Sequence, residues 1–203
     1  MIAWINFASL LIAACALLYF YVRSVQPAAL ERKVGEGAYA RCTRYRMAAM
    51  AFEAVAIVNY VVYRFYPLPL PLPVVFPWDY WVSVLIALAI AVPGGYLMWR
   101  GMRDAGEESL VVKKEHTLYG GIYHRMRHPQ ATGEVTLWWV AAFMLNSPFL
   151  ALFSLIWLPI FYVMCRAEER DLALRYGEAY RSYQREVGFL LPRRSRARGQ
   201  SDG

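Results

Sequence analysis

The feature that most constrains this chain is an uncharged stretch of about twenty residues at its start. The run from Ile2 to Val22 contains no Asp, Glu, Lys or Arg, and it ends at Arg23. A helix of that length crosses the ~30 Å hydrocarbon core of a bilayer. Hydrophobic residues make up 59% of the 203 residues and charged residues only 18%. The pattern therefore predicts a polytopic membrane protein rather than a soluble domain.

Further apolar blocks follow, separated by polar or proline-rich sequence, and together they predict five membrane spans. These blocks cover residues 47–63, 81–99, 132–145 and 149–165. The last two are joined only by Asn146-Ser147-Pro148, so we expect an antiparallel helical hairpin. Pro93-Gly94-Gly95 is expected to kink the third span or to let another backbone approach closely. The proline-rich segment 67–79 is expected to be extended along the bilayer surface.

The fold class predicted is therefore all-α: a polytopic membrane protein of five transmembrane helices with a C-terminal amphipathic helix. That last helix is expected to run from Arg166 to about Val187. A single domain is expected over residues 1–203. It comprises three N-terminal spans in 1–99, a core in 100–194 and a disordered tail in 195–203.

The positive charges indicate how the spans are oriented. The net charge is +7, and all but one of the 22 Lys and Arg residues fall before the second span, between the third and fourth spans, or after the fifth. The exception is Arg64. Because basic residues collect on the cytoplasmic side, the N-terminus is predicted outside and the C-terminus in the cytoplasm. No nucleic-acid recognition motif accompanies the charge, so nucleic-acid binding is not expected.

The cysteines and Glu53 are further candidates for a metal site or a functional group. The three cysteines, Cys15, Cys42 and Cys165, have neither disulfide-framework nor metal-ligand spacing, so no metal site is expected. Glu53 lies inside the second apolar block. An ionisable residue within a span is a candidate functional group. The interpretation we favour is nonetheless an interfacial carboxylate paired with Arg44 or Arg46.

Two polar segments, 116–133 and 167–192, flank the predicted hairpin at its open end and should lie close together. In the first, Gly120-Gly121 permits a tight turn, and the N–H groups after His128-Pro129 attract polar ligand groups. In the second, Glu168 or Glu169 can accept hydrogen bonds from an amine or a ribose. Tyrosine rings from both segments offer faces for an aromatic base or a sulfonium; they are Tyr123, Tyr180 and Tyr183. Alternatively, the carboxylates pair with Arg166 and Arg170 along one helix, and the tyrosines pack the tail.

The order of residues in these segments resembles the superfamily of isoprenylcysteine carboxyl methyltransferases and phospholipid methyltransferases. The first motif reads His116, Leu118, Gly121-Ile122-Tyr123, Arg127-His128-Pro129 and Gly133. The second reads Glu168-Glu169, Tyr176-Gly177, Tyr180, Tyr183 and Leu191-Pro192. The resemblance covers about residues 103–194.

The resemblance implies an integral membrane enzyme that uses S-adenosyl-L-methionine (SAM) without a Rossmann domain. It places the cofactor in a cytosol-facing pocket, while a lipophilic or amphipathic substrate enters from the lipid bilayer. Neither an obligate protein partner nor a metal is expected. Carried over by position, the cofactor-binding residues are His116, Leu118, Tyr119, Tyr123, His128, Pro129 and Glu168. The residues assigned to the substrate are Arg127, Met164 and Glu169. Positioning catalyses methyl transfer, so no catalytic side chain is assigned.

Departures from the family pattern limit the activities that the resemblance implies. Ala131 stands where the family usually has tyrosine. Met164 stands where the prenylcysteine enzymes have an arginine thought to orient the substrate carboxylate, so a carboxylate substrate is in doubt. Two alternatives remain open. One is an NADPH-dependent membrane reductase of the sterol type, which Gly133-Glu134 after the Arg-His-Pro motif resembles; the other is a catalytically inactive relative.

Overall fold

Helices account for nearly all of the regular structure in the described part of the chain. The computed structural model describes residues 1–106, 111–112 and 120–193. Short 3-10 turns occupy Gly35–Gly37, Gly121–His124 and Ser154–Ile156. The helices are α1 (Ile2–Ser24), α2 (Pro27–Val34), α3 (Ala38–Phe65), α4 (Tyr80–Ala105), α5 (Pro129–Met144), α6 (Pro148–Phe153), α7 (Trp157–Tyr176) and α8 (Glu178–Glu186).

Four helical segments of the described chain are long and apolar enough to cross a membrane. They are Ile2–Ser24, Pro27–Phe65, Tyr80–Ala105 and Pro148–Tyr176. The all-helical membrane class predicted from the sequence is thus confirmed. Helix α5, which covers the predicted fourth span, has 16 residues and is about 24 Å long. A count of five spans therefore stays a prediction.

Buried polar side chains hold α1, α3 and α7 together. The Asn6 amide donates to the backbone oxygen of Asn59 at 3.0 Å, and the Asn59 amide donates to Ser9 Oγ at 3.2 Å. The Trp157 indole donates to the Tyr60 hydroxyl at 2.8 Å. In an apolar interior such groups must find partners within the protein, so these bonds fix which helix faces meet.

Helices α4 and α5 pack backbone against backbone through glycines. A Cβ atom on Gly133 would meet the Gly94 carbonyl oxygen, and it would lie 2.5 Å from the Met98 nitrogen. A Cβ atom on Gly101 would lie 2.7 Å from the Gln130 nitrogen. This contact, which we call the glycine seam (Gly94, Gly101 and Gly133), confirms the close backbone approach predicted at Pro93-Gly94-Gly95. Helix α4 continues through Pro93.

The C-terminal region differs in detail from the single amphipathic helix predicted after Arg166. Helix α7 continues to Tyr176, and the chain then turns at Gly177, whose φ is +57°. This left-handed conformation favours glycine. Helix α8 follows, and a short parallel bridge joins Met126 to Gly188. The tail thus returns to the turn that precedes α5.

Candidate functional site

A cavity of about 240 Å³ lies between the helices, at the end where polar residues gather. Residues from α1, α3, α4, α5, α7 and α8 line it, together with the turn before α5. Five residues assigned from the sequence are among the lining residues: Tyr123, Arg127, His128, Met164 and Glu168. Pro129 and Glu169 are buried next to the cavity but do not line it. His116, Leu118 and Tyr119 lie outside the described residues.

The turn before α5 is fixed by Asp104 at the end of α4. The Ile122 N–H donates to Asp104 Oδ2 at 2.9 Å, and Arg100 pairs with the same oxygen at 3.2 Å. Gly121 has a φ of +62°, and a Cβ atom there would collide with the Asp104 carboxylate. Glycine is therefore needed at this position for backbone conformation and for space. The turn thereby places Tyr123 at the cavity wall.

His128 occupies the position just before α5, and its imidazole is 6% exposed. Nδ1 lies 3.5 Å from Glu168 Oε2 and Nε2 lies 3.4 Å from Glu169 Oε1. The second contact lacks hydrogen-bond geometry, so Nε2 has no hydrogen-bond partner within the described structure. Burial alone would lower the pKa of His128. Contacts with Cys165 and with the carboxylates of Glu168 and Glu169 favour the protonated imidazole; they outweigh burial and together raise the pKa of His128 well above its ordinary value.

Glu169 belongs to a buried ion-pair network that holds the tail against the rest of the site. Arg127 Nε donates to Glu169 Oε1 at 2.6 Å, and Arg166 Nη1 donates to Glu169 Oε2 at 2.7 Å. Arg127 Nη1 also donates to the carbonyl oxygens of Gln184 and Val187, at 2.6 Å each. Glu169 is 2% exposed. Its pairing with Arg166 is the alternative interpretation stated from the sequence.

Three tyrosines form part of the cavity lining. The Tyr183 hydroxyl donates to the Tyr123 carbonyl oxygen at 2.7 Å, and the Tyr123 hydroxyl donates to the Gly101 carbonyl oxygen at 3.2 Å. Burial raises the pKa of Tyr183 to about 12 and raises the pKa values of Tyr123 and Tyr180 as well. All three phenols are therefore neutral at physiological pH and act as hydrogen-bond donors or as flat ring surfaces.

The sequence interpretation did not foresee the contribution of the N-terminal helices to the cavity. Leu17 and Tyr21 reach it from α1, and Arg46, Met50 and Glu53 reach it from α3. The spacing of Arg46, Met50 and Glu53 by four and three residues places them on one helix face. That spacing was the available signal. A sequence alone does not show which face of α3 turns toward the site.

Glu53 is the clearest correction. The favoured interpretation, an interfacial carboxylate paired with Arg44 or Arg46, is wrong, because the Glu53 carboxyl group faces the cavity and lies within hydrogen-bonding reach of the Glu134 carboxyl group on α5. Both carboxyl groups line the cavity. A charged residue inside an apolar block was the signal at both positions, but only the fold brings the two together.

Comparison with known proteins locates the resemblance in the second half of the chain. Residues 82–179 match the family model of phospholipid methyltransferases. Three methanethiol S-methyltransferases are similar to the chain. That of Pseudomonas sp. (strain GM41(2012)) is 33% identical over 79 residues, 39% of this chain and 30% of the relative. That of Mycobacterium tuberculosis (strain ATCC 25618 / H37Rv) is 34% identical over 101 residues, 48% and 36% of the two chains.

The third, from Pseudomonas deceptionensis, is 35% identical over 82 residues, 40% of this chain and 30% of the relative. The chain thus spans about a third of the length of the curated relatives it matches. No solved structure gives a significant match. The family match and the three relatives confirm the resemblance of this chain to the superfamily of isoprenylcysteine carboxyl methyltransferases and phospholipid methyltransferases.

Proposed function

We propose that the protein is a membrane-embedded methyltransferase that uses SAM. The observation that carries this proposal is the convergence of both motif segments on one cavity. Tyr123, Arg127 and His128 come from the first motif and Glu168 and Tyr183 from the second, and all five line the same space. The matched residues 82–179 include most of them.

The donor set of the cavity suits the polar parts of SAM. Glu168 is partly exposed, and its carboxylate is suited to accept hydrogen bonds from the amino group or the ribose hydroxyls. His128 presents a buried Nε2 without a hydrogen-bond partner in the described structure. The tyrosine rings offer surfaces for the adenine base and attract the sulfonium through cation–π contact. When bound, SAM supplies an electrophilic methyl group on a positively charged sulfur.

The acceptor we propose is a small lipophilic thiol. The relatives are named for methyl transfer to the sulfur of methanethiol. Met164, which stands where the prenylcysteine enzymes have arginine, lines the cavity together with Met50, Met98 and Met102. Polarisable thioether side chains form an adaptable apolar surface that suits an uncharged acceptor. We infer that the acceptor enters from the bilayer and that the cofactor enters from the cytoplasm, where the positive charges place the motif segments.

Calorimetric titration of the purified protein in detergent tests this function. We expect SAM and S-adenosylhomocysteine (SAH) to bind and NADPH not to bind. We also expect radiolabelled methyl groups of SAM to appear in the thioether formed from an added alkanethiol. Binding of NADPH with no binding of SAM or SAH would instead support a membrane reductase. Failure of all three to bind would support an inactive relative.

A further inference from the structure

We propose that Glu53 and Glu134 form a carboxyl pair that accepts the proton of the methyl acceptor. This inference rests on the proposed function, and it assigns the chemical class of acceptor and the group that activates it. The pair lies in the same cavity as the motif residues but comes from different positions in the chain: Glu53 from α3 and Glu134 from α5.

The contact between the two side chains defines their charge. The carboxyl groups of Glu53 and Glu134 line the same cavity and lie close enough to each other to share a hydrogen bond. An ionised carboxylate only accepts hydrogen bonds, so this bond requires that one of the two carry a proton. At least one of the two carboxyl groups is therefore protonated. With the other one ionised, the pair carries one negative charge and can take up a second proton. Carboxylates within membrane helices are costly, and a functional role accounts for two that meet at a cavity wall.

The position of the pair relative to the cofactor residues fits an acceptor site. Glu134 follows His128 by six residues along α5, which is about 9 Å along the helix axis. The pair thus lies further into the apolar part of the bundle than His128 and Glu168. Met98 lines the cavity at this level, since its backbone nitrogen lies against Gly133. An apolar acceptor that entered from the bilayer, as proposed above, would meet the pair before the polar end of the cavity.

The chemistry of methyl transfer requires a destination for one proton when the acceptor is a thiol. The S–H bond of the acceptor breaks, and its proton passes to the free carboxylate oxygen of the pair. The electron pair left on that sulfur forms the new bond to the methyl carbon. The bond between this carbon and the sulfonium sulfur of SAM breaks, and its electrons remain on the sulfur of SAH. General bases of this kind contribute typically 10²–10⁴-fold to a rate.

The same arrangement selects against a carboxylate acceptor. A carboxylate carries no proton to remove, and the negative charge of the pair repels it. Among the residues that the structure describes, the other charged groups that line the cavity are Arg46 on α3, Arg127 and His128 before α5, and Glu168 on α7. Arg127 is held by Glu169 and two carbonyl oxygens, and Met164 supplies no charge. The geometry therefore favours a neutral acceptor with an ionisable hydrogen on its nucleophilic atom.

Two thiols of different acidity separate a proton-accepting role from a structural role. The experiment compares Glu53→Gln, Glu134→Gln and the double variant with wild-type protein. Glu178→Gln, which changes an exposed carboxylate outside the cavity, is the matched control. One acceptor is an alkanethiol; the other is a nitro-substituted thiophenol, which is already a thiolate at neutral pH. SAH affinity is measured in parallel by calorimetry.

For the alkanethiol we expect a 10²–10⁴-fold loss of kcat in each single variant and little further loss in the double variant, because the two groups act as one unit. For the thiophenol we expect rates close to wild type, with SAH affinity unchanged. Equal losses for both thiols, no loss for either, or a parallel fall in SAH affinity would overturn the pair's role. Wild-type protein that binds SAH but methylates neither thiol would overturn the acceptor class. Wild-type protein that fails to bind SAH would instead contradict the proposed function itself.

A spectroscopic measurement tests the shared proton without turnover. We expect the infrared spectrum of the full chain at neutral pH to contain the C=O band of a protonated carboxyl group. The double variant Glu53→Gln/Glu134→Gln should lack this band, and Glu178→Gln should retain it. A wild-type spectrum without the band, or a double variant that keeps it, would contradict a pair that holds one proton.

Discussion

The Nε atom of Arg127 lies 2.6 Å from Oε1 of Glu169, and this buried contact joins the turn before α5 to the helix that carries Glu168. Arg127 also binds two carbonyl oxygens at the end of α8. One guanidinium thus ties together the two motif segments and the returning tail. Its role in the described structure is to hold cavity residues in place rather than to present a free charge.

Removal of one partner from this ion pair should destabilise the protein strongly. We expect Arg127→Ala to lower the free energy of unfolding by roughly 3 kcal/mol or more, because it leaves the Glu169 carboxylate buried without its main partner. The measurement is the midpoint of thermal unfolding in detergent. Arg185→Ala, which breaks an exposed pair with Glu178 at 2.6 Å, is the control and should leave the midpoint nearly unchanged. Equal midpoints for the two variants would argue against the buried network.

Loss of the Glu168 carboxylate should weaken cofactor binding. We expect Glu168→Ala to raise the dissociation constant for SAM at least tenfold, because a charge-assisted hydrogen bond is worth roughly 1.5–3 kcal/mol. Calorimetric titration with SAM or SAH measures this change, and Glu178→Ala serves as the control. An unchanged affinity in Glu168→Ala would show that SAM does not contact this side of the cavity.

Alanine substitutions should have opposite effects at Gly133, which belongs to the glycine seam, and at Gly95, which does not. In Gly133→Ala the new Cβ atom would collide with the backbone of α4, so we expect destabilisation of about 1–3 kcal/mol. In Gly95→Ala the new Cβ atom meets nothing within 4 Å, and alanine favours a helix by roughly 0.5–1 kcal/mol. Thermal unfolding should therefore rank Gly95→Ala at or above wild type and Gly133→Ala below it. The reverse order would contradict the close approach of α4 and α5.

The raised pKa of His128 predicts a pH dependence of stability. The groups facing its imidazole are Cys165, Glu168 and Glu169, with Arg127 adjacent. Because the pKa is higher in the folded than in the unfolded protein, the stabilisation is fully present below the unfolded value of about 6.5 and is lost as the pH rises through the folded value. We therefore expect the midpoint of thermal unfolding to fall as the pH rises.

His128→Gln should flatten this profile between neutral and alkaline pH. His124→Gln changes the exposed histidine of the same turn and should keep the wild-type profile. A profile that is as steep in His128→Gln as in wild type would assign the dependence to another group.

Much of the fold and part of the site follow from the sequence because they depend on local properties. Uncharged blocks give the helices, and Asn146-Ser147-Pro148 gives a turn at which Ser147 accepts a hydrogen bond from the Leu150 N–H. The predicted nearness of His128 and Glu168 depends only on two helices that return to the same side. The structure places their side chains 3.5 Å apart.

The remaining features depend on tertiary packing between distant segments. Glu53 and Glu134 are 81 positions apart in the numbering, and the apolar pattern of α3 does not show that Glu53 faces α5 rather than the lipid interface. The local sequence around Gly177 predicts a continuous polar helix. The chain must nevertheless turn at this residue for the tail to return to Met126. The motif around Arg127 predicts a contact with a ligand. Its guanidinium instead donates hydrogen bonds to the carbonyl oxygens of Gln184 and Val187.

The glycine seam also bears on how the acceptor range of this cavity could change. Helices α4 and α5 already touch through their backbones, so they cannot move closer together. Backbone atoms therefore set the separation of the two helices. The adjustable part of this wall is then the pair of long, unbranched side chains of Met98 and Met102. A shorter or bulkier residue at either position would change the volume of the cavity, while the packing of α4 against α5 stayed the same. Single exchanges at these two positions would thus shift the preference among the proposed acceptors without a change in helix packing.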